Sequence, residues 1–320
     1  MAKYRNALSQ MRGDFFLTDG GIETTLIFLD GQELPLFAAF HLLKTPKGEE
    51  SLRKYFRTYA ELARTHRSGL VLETATWRAS PDWGDKLGYT ADQLADANRK
   101  CVDLLEAVRS EYETTETPIV ISGCIGPRGD GYVPADLMSE GQAEDYHRFQ
   151  VETFASTNVD LVTAITMNYA EEAIGLTRAA KRAGLPVVIS ITLETDGRLP
   201  TGQSLGEAIS QIDKATSAYP SYFMINCAHP AHFSGVVDGD EVWASRIRGL
   251  RANASTMSHA ELNEAPELDA GDPEALGRDY AALKKQKLKY LNVFGGCCGT
   301  DHRHVHQMAL ACLPMFRSSP

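Results

Sequence analysis

Two adjacent cysteines, Cys297 and Cys298, lie in the run NVFGGCCGTDHRH over residues 292–304, among Gly295, Gly296 and Gly299. Adjacent cysteines are too close for an ordinary loop-closing disulfide, and adjacent side chains of a strand point to opposite faces. Glycines let the backbone turn so that both sulfurs aim at one point, and a soft metal ion suits that point. Cys227, in INC at residues 225–227, adds a third sulfur. Three thiolates make a strong Zn2+ site with a coordination position to spare, the pattern of a catalytic rather than a closed structural zinc. The chemistry open to it is thiol activation: a free thiol near pKa 8.5 is only a few per cent thiolate at neutral pH, and coordination keeps it ionised without a general base. Taken singly, each cysteine reads as a buried apolar thiol, and it is the Gly-Gly-Cys-Cys-Gly context that favours the metal.

Such a centre needs a fold that brings residues 227 and 297 to one opening. Eight short apolar or β-branched runs recur: FFLTDGG, GLVLETATW, PIVISGCIGP, VDLVTAITMN, LPVVISITLE, YFMINCAH, IRGLRANAS and LKYLNVFGGCC. Each is followed by a longer stretch of helical character, some clearly amphipathic, such as EESLRKYFRTYAELARTHRSG. Eight alternating units predict an α/β fold, a (β/α)8 TIM barrel forming a single domain over residues 1–320. No dinucleotide fingerprint competes, because SGCIGPRGDGY lacks the spacing. The acidic, proline-bearing LNEAPELDAGDPEALG reads as a mobile surface insertion after the seventh strand.

In such a barrel the strand C-termini share one opening. The residues found there are Asp19, Gly20 and Gly21, then Glu73 to Trp77 and Cys124 to Pro127, then Thr166, Asn168, Glu194, Asn226, Cys227, Asn253, Cys297 and Cys298. The partners expected are small molecules. A net charge of -10 repels nucleic acid and anionic membrane surfaces. No run of about 18 apolar residues and no signal-like N-terminus occurs, so a cytoplasmic location is expected. Barrels often form homo-oligomers, but no segment marks an interface. Cys101 and Cys312 read as core thiols on helices.

The motifs GGCCGT at 295–300, INC at 225–227, DGG at 19–21 and IGPRGD at 125–130 resemble those of the homocysteine S-methyltransferase family, in matching order from about residue 14 to residue 312. The resemblance implies a zinc-bearing barrel that methylates a thiol, typically homocysteine, giving methionine. It places Cys227, Cys297 and Cys298 on the zinc ligands and Asp19 in the pocket that orients the acceptor. Family donors are S-methylmethionine, S-adenosylmethionine, betaine, or methylfolate through a cobalamin protein. The chain ends soon after its eighth helix, so a stand-alone small-molecule donor is the expectation. Three cysteinates leave a bound sulfur electron-rich, and holding the donor in line with it supplies much of the remaining acceleration.

An onium donor calls for aromatic faces and a carboxylate. Trp77, Trp83, Tyr89 and Phe40 are the candidate aromatics and Glu23 the counter-charge; rim packing serves such aromatics equally well, except Trp77, which follows the second strand's polar end. Where the family's fourth strand ends in Glu-Thr, the glutamate holding the acceptor's ammonium, this chain has Ile165-Thr166. Asn168 or Glu194 then substitutes, or the acceptor is another thiol. The Phe40 position also departs from the family's tryptophan. His302, His304 and His306 read as surface residues and His229 as a rim residue. The rival readings are a zinc hydrolase, weakened by the lack of a His-x-His after the first strand, and a zinc-thiolate redox sensor without catalysis.

Overall fold

The structure, a computed structural model, describes residues 2–317 apart from 135, 265 and 266. Eight parallel strands close into a barrel in sequence order: β1 (Phe16–Leu17), β2 (Gly69–Glu73), β3 (Ile119–Ile125), β4 (Leu161–Met167), β5 (Val187–Thr192), β6 (Tyr222–Asn226), β7 (Ile247–Ala252) and β8 (Val293–Gly296). Closure pairs Phe16 of β1 with Val293 of β8. The predicted (β/α)8 TIM barrel is the observed fold. Among the described residues no helix is long and apolar enough to cross a membrane.

The strands are buried on both faces, which is why they read as near-continuous apolar runs. Side-chain alternation sorts them into two shells. Phe16, Val71, Val120, Leu161, Val188, Tyr222, Met224 and Val293 fill the barrel interior, with Leu8 from the N-terminal segment beside them. Leu17, Leu70, Ile121, Val162, Ile189 and Leu250 belong to the outer shell beneath the helices.

The helices are α1 (Pro46–His66), α2 (Pro81–Lys86), α3 (Ala91–Tyr112), α4 (Glu140–Ala155), α5 (Ala170–Arg182), α6 (Leu205–Thr216), α7 (Pro230–Phe233), α8 (His259–Glu264), α9 (Pro273–Gln286) and α10 (His302–Cys312). Local chemistry sets their starts. Thr90 with Gln93, Ser139 with Gln142 and Ser204 with Glu207 form capping boxes, each satisfying two amide donors that the first turn leaves free. Cys101 and Cys312 lie in the core, as expected.

One expectation fails at α10. His304 is fully buried rather than on the surface, because it is the third helical residue of a capping box begun by Asp301. Its Nδ1 accepts from the Asp301 amide at 3.1 Å, and its Nε2 lies 2.8 Å from the Ala270 carbonyl. The latter contact ties down part of the acidic stretch expected to be mobile. Residues 265 and 266 of that stretch lie outside the described residues. His302 is exposed as expected, and His306 is half-buried with its Nδ1 2.9 Å from Nε2 of His66.

Candidate functional site

The three sulfurs meet at the C-terminal mouth of the barrel. Cys227, Cys297 and Cys298 place their Sγ atoms within 4.8 Å of one another, the His/Cys/Asp/Glu group among the described residues that could hold a metal. Cys227 and Cys297 are paired as a disulfide with Cα atoms 5.5 Å apart, and Cys298 is free and exposed. In reduced form the three supply an all-thiolate donor set, which fits a borderline-soft ion such as Zn2+ and leaves room for a further ligand.

The backbone that aims these sulfurs comes from three strand ends. Just past β6, Cys227 takes a left-handed conformation with φ 52°, and its amide donates to the Arg251 carbonyl at 3.1 Å. Past β8, the Cys297 amide donates to Ala252 O at 2.8 Å and the Cys298 amide to Asn253 Oδ1 at 3.1 Å. The glycines act differently from the expectation. Gly299 alone of the three has a positive φ, 78°; Gly295 and Gly296 are strand residues whose missing side chains let Thr18 and Thr300 approach closely.

The second non-glycine residue with positive φ at the mouth is Thr166, with φ 66°, where the β4–β5 register shifts between Ala164 and Met167. Such conformations cost roughly 1–3 kcal/mol each and persist where the surroundings over-determine them. Asn226 does so here. Its Oδ1 accepts from the Thr166 amide at 3.1 Å and from Ser190 Oγ at 2.6 Å, while its Nδ2 donates to Thr166 Oγ1 at 2.9 Å. Thr166 and Asn226 are thereby buried braces for the β4 and β6 ends. Ile165 joins the interior cluster, which Trp77 packs against, and the Trp77 indole donates to the Ile165 carbonyl at 3.3 Å.

Asp19 is held rather than free. Arg251 lies inside the barrel, its Nη2 2.7 Å from Asp19 Oδ1 and its Nη1 2.8 Å from Glu73 Oε2. The same guanidinium donates to Gly20 O at 3.3 Å and Gly296 O at 3.2 Å, and Tyr55 donates to Asp19 Oδ2 at 2.9 Å. Gly21 donates to Thr300 O at 3.1 Å, joining the first strand's end to the cysteine turn. Glu23 is partly buried, and its carboxyl is pushed up to about 7 by desolvation, with the Asp19 charge adding to the rise.

A lid of loop residues covers the sulfurs. Tyr132, from the β3–α4 loop, places its hydroxyl 3.4 Å from Cys227 Sγ and 3.6 Å from Cys298 Sγ. Its ring lies 4.0 Å from that of His259, which in turn reaches Glu194 at 3.3 Å and the Cys227 carbonyl. Asn168 donates to Asp130 O at 2.9 Å and Gly131 O at 3.1 Å, so it holds this loop in place.

The candidate aromatics do not form an open cage. Phe40 is fully buried against Tyr89, and Lys44 lies 4.1 Å over the Tyr89 ring. Arg78 lies 4.1 Å over Trp77 and 3.6 Å over Trp83. His229 caps α7, accepting from the Ala231 amide at 3.2 Å.

Sequence reasoning missed Arg251, Tyr132, His259 and Arg78. Arg251 carried a usable signal, since a charged residue inside an otherwise buried strand requires partners. Tyr132 and Arg78 lie on loops, whose paths no periodicity reveals, and His259 opens the short helix α8.

A family profile described as homocysteine S-methyltransferase matches residues 16–312. Betaine--homocysteine S-methyltransferase 1 of Rattus norvegicus is 25% identical over 265 residues, covering 76% of this chain and 61% of that protein. The chain thus spans about three fifths of the length of that relative. Selenocysteine Se-methyltransferase of Brassica oleracea var. italica is 22% identical over 96% of this chain and 92% of its own length. Among solved structures, the oxidized form of the homocysteine methyltransferase MmuM from Escherichia coli superposes with a TM-score of 0.72 at 18% identity, covering 96% of this chain and 99% of that one. Its metallated form gives 0.69, covering 97% and 99%.

Proposed function

The chain belongs to the homocysteine S-methyltransferase family, and from that premise we propose that it moves a methyl group from a small onium-type donor to a thiol acceptor. S-methylmethionine, S-adenosylmethionine or a betaine-like compound would be the donor, and homocysteine, giving methionine, is the lead acceptor. The observation that carries this reading is the convergence of Cys227, Cys297 and Cys298 at the barrel mouth. These three residues would hold Zn2+, which when bound keeps a thiol ionised near neutral pH.

The chain's own residues then position the reactants. Asp19, fixed by Arg251 and Tyr55, orients the acceptor end together with Gly20 and Gly21. Thr166, Asn168 and Asn226 hold the β4 and β6 ends and the covering loop, so the acceptor and donor meet a preset geometry. Glu23, whose carboxyl is pushed up to about 7 by burial, would complete its ionisation beside a cationic donor, and Trp77 forms the apolar wall beside Ile165. The exposed Cys298 side is the open approach to the sulfurs.

The test is mass-spectrometric detection of methionine after mixing the zinc-loaded chain with homocysteine and S-methylmethionine. Cysteine-to-serine variants at 227, 297 and 298 should each lose metal and activity. Full activity in a metal-free chain would refute the reading. A second reading, a thiolate centre that responds to oxidation, is favoured by the Cys227–Cys297 pair, because closing it removes two ligands together. Peroxide-dependent loss of metal without methyl transfer by the reduced chain would select it.

A further inference from the structure

Among the described residues three arginines are buried, and two of them are paired with carboxylates. Arg109 meets Asp160 at 2.9 Å, and Arg251 meets both Asp19 and Glu73. Arg78 differs. It is 6% exposed, yet no carboxylate stands in salt-bridge contact with it among the described residues. Its Nη1 donates to the Gly129 carbonyl at 3.0 Å, and its Nε has no partner among the described residues. A buried guanidinium without a counter-ion is costly, and such groups are retained where an anion completes them.

The surroundings place Arg78 at the methyl-transfer mouth. It follows Trp77, the residue that bonds the Ile165 carbonyl at the end of β4. Both indole rings flank it and fix the guanidinium plane, with its Nε left without a partner among the described residues. It feels the carboxyl groups of Asp130 and Glu23 at longer range, and it lies on the same side of the mouth as Tyr132, whose hydroxyl reaches the cysteine sulfurs. Burial pushes its pKa down to about 10, as expected of a cation whose neighbours compensate only part of its desolvation.

We propose that Arg78 is the carboxylate-binding residue of this site, receiving the acid group of a substrate in a two-pronged contact while Trp77 and Trp83 hold the guanidinium flat. The assignment rests on the methyl-transfer reading for its location and deepens it by naming the residue that reads a substrate's acid group. An Arg–carboxylate fork has the geometric specificity that a lysine lacks.

The experiment compares acid and amide pairs for each substrate, using the full-length zinc-loaded chain and calorimetric binding. For the acceptor the pair is 4-mercaptobutyrate and 4-mercaptobutyramide; for the donor it is S-methylmethionine and its carboxamide. In one pair the acid should bind about 10- to 100-fold more tightly than the amide, the range of a charge-assisted hydrogen bond. The pair that discriminates identifies which substrate carries the carboxylate. Arg78→Met should abolish the discrimination, and Arg78→Lys should restore part of it. Equal binding of acid and amide in both pairs would overturn the proposal, even if the variants failed to fold. Retained discrimination in a folded Arg78→Met chain would also overturn it. Discrimination in binding without any methylated product would leave the carboxylate site standing and defeat the transfer reading. Product formation with no discrimination would do the reverse.

Discussion

Replacing Arg251 with methionine is the most demanding test of the architecture. The substitution conserves much of the side-chain length but removes the cation between two buried carboxylates, at 2.7 Å from Asp19 and 2.8 Å from Glu73. It also strips the Gly20 and Gly296 carbonyls of a donor. Breaking a buried ion pair from one side typically costs 3–5 kcal/mol, because the remaining charge is left uncompensated, so a loss of about that size is expected. The melting temperature should fall by roughly 5–15 °C, the shift a domain of this size shows for such a loss. The penalty should depend on pH in a definite direction. Without the arginine the Glu73 carboxyl, already raised by burial, rises further when folded, while carboxyls of the unfolded chain stay near 4. The variant therefore loses most stability above about pH 5 and recovers part of it as pH falls toward the unfolded values. Thermal denaturation followed by circular dichroism from pH 4 to pH 8 measures both effects. A variant melting within about 2 °C of the parent at every pH would refute the reasoning, since that difference lies well below the expected loss.

Asn226→Ala should destabilise the chain by about 1–3 kcal/mol, because the buried Thr166 amide and Ser190 hydroxyl lose their acceptor; chemical denaturation would show it, together with weaker metal retention. In the metal-free chain, Glu23 ionises at about 7 when folded against 4.5 for an ordinary glutamate. Its contribution to stability is therefore complete below about 4.5 and is lost as pH rises toward about 7, a trend that Glu23→Gln should flatten in pH-dependent melting curves. Asp301→Ala removes the side-chain cap of α10 and should cost about 1 kcal/mol, measurable by denaturant titration.

The barrel was legible because each strand announces itself as a short apolar run and each is followed by a longer helical segment. The three cysteines were legible for a related reason: Cys227 and the 297–298 pair follow such runs directly, so topology alone brings them to one end. What escaped was anything set by tertiary contact. His304 looks like a surface residue in a histidine-rich stretch, yet the reach of its ring to the Ala270 carbonyl buries it. Trp77 and Trp83 look available for a cationic donor, but Arg78 already covers a face of each. Asp19 reads as a pocket carboxylate, and only the fold reveals that Arg251, from a strand distant in sequence, holds it. Tyr132 occupies a glycine-rich loop whose course depends on contacts with α2 and the end of β4.

That loop is fastened in an unusual way. Arg78, Trp83 and Asn168 grip it through the carbonyl oxygens of Gly129, Arg128, Asp130 and Gly131, not through its side chains. Main-chain oxygens are the same whatever residue bears them. Apart from Arg128, which pairs with Asp82, and Asp130, which accepts from the Tyr132 and Val133 amides, the wall over the sulfurs can exchange side chains while keeping its course, so new substrate preferences can arise there without dismantling the centre. The residues that cannot drift are the anchors outside it.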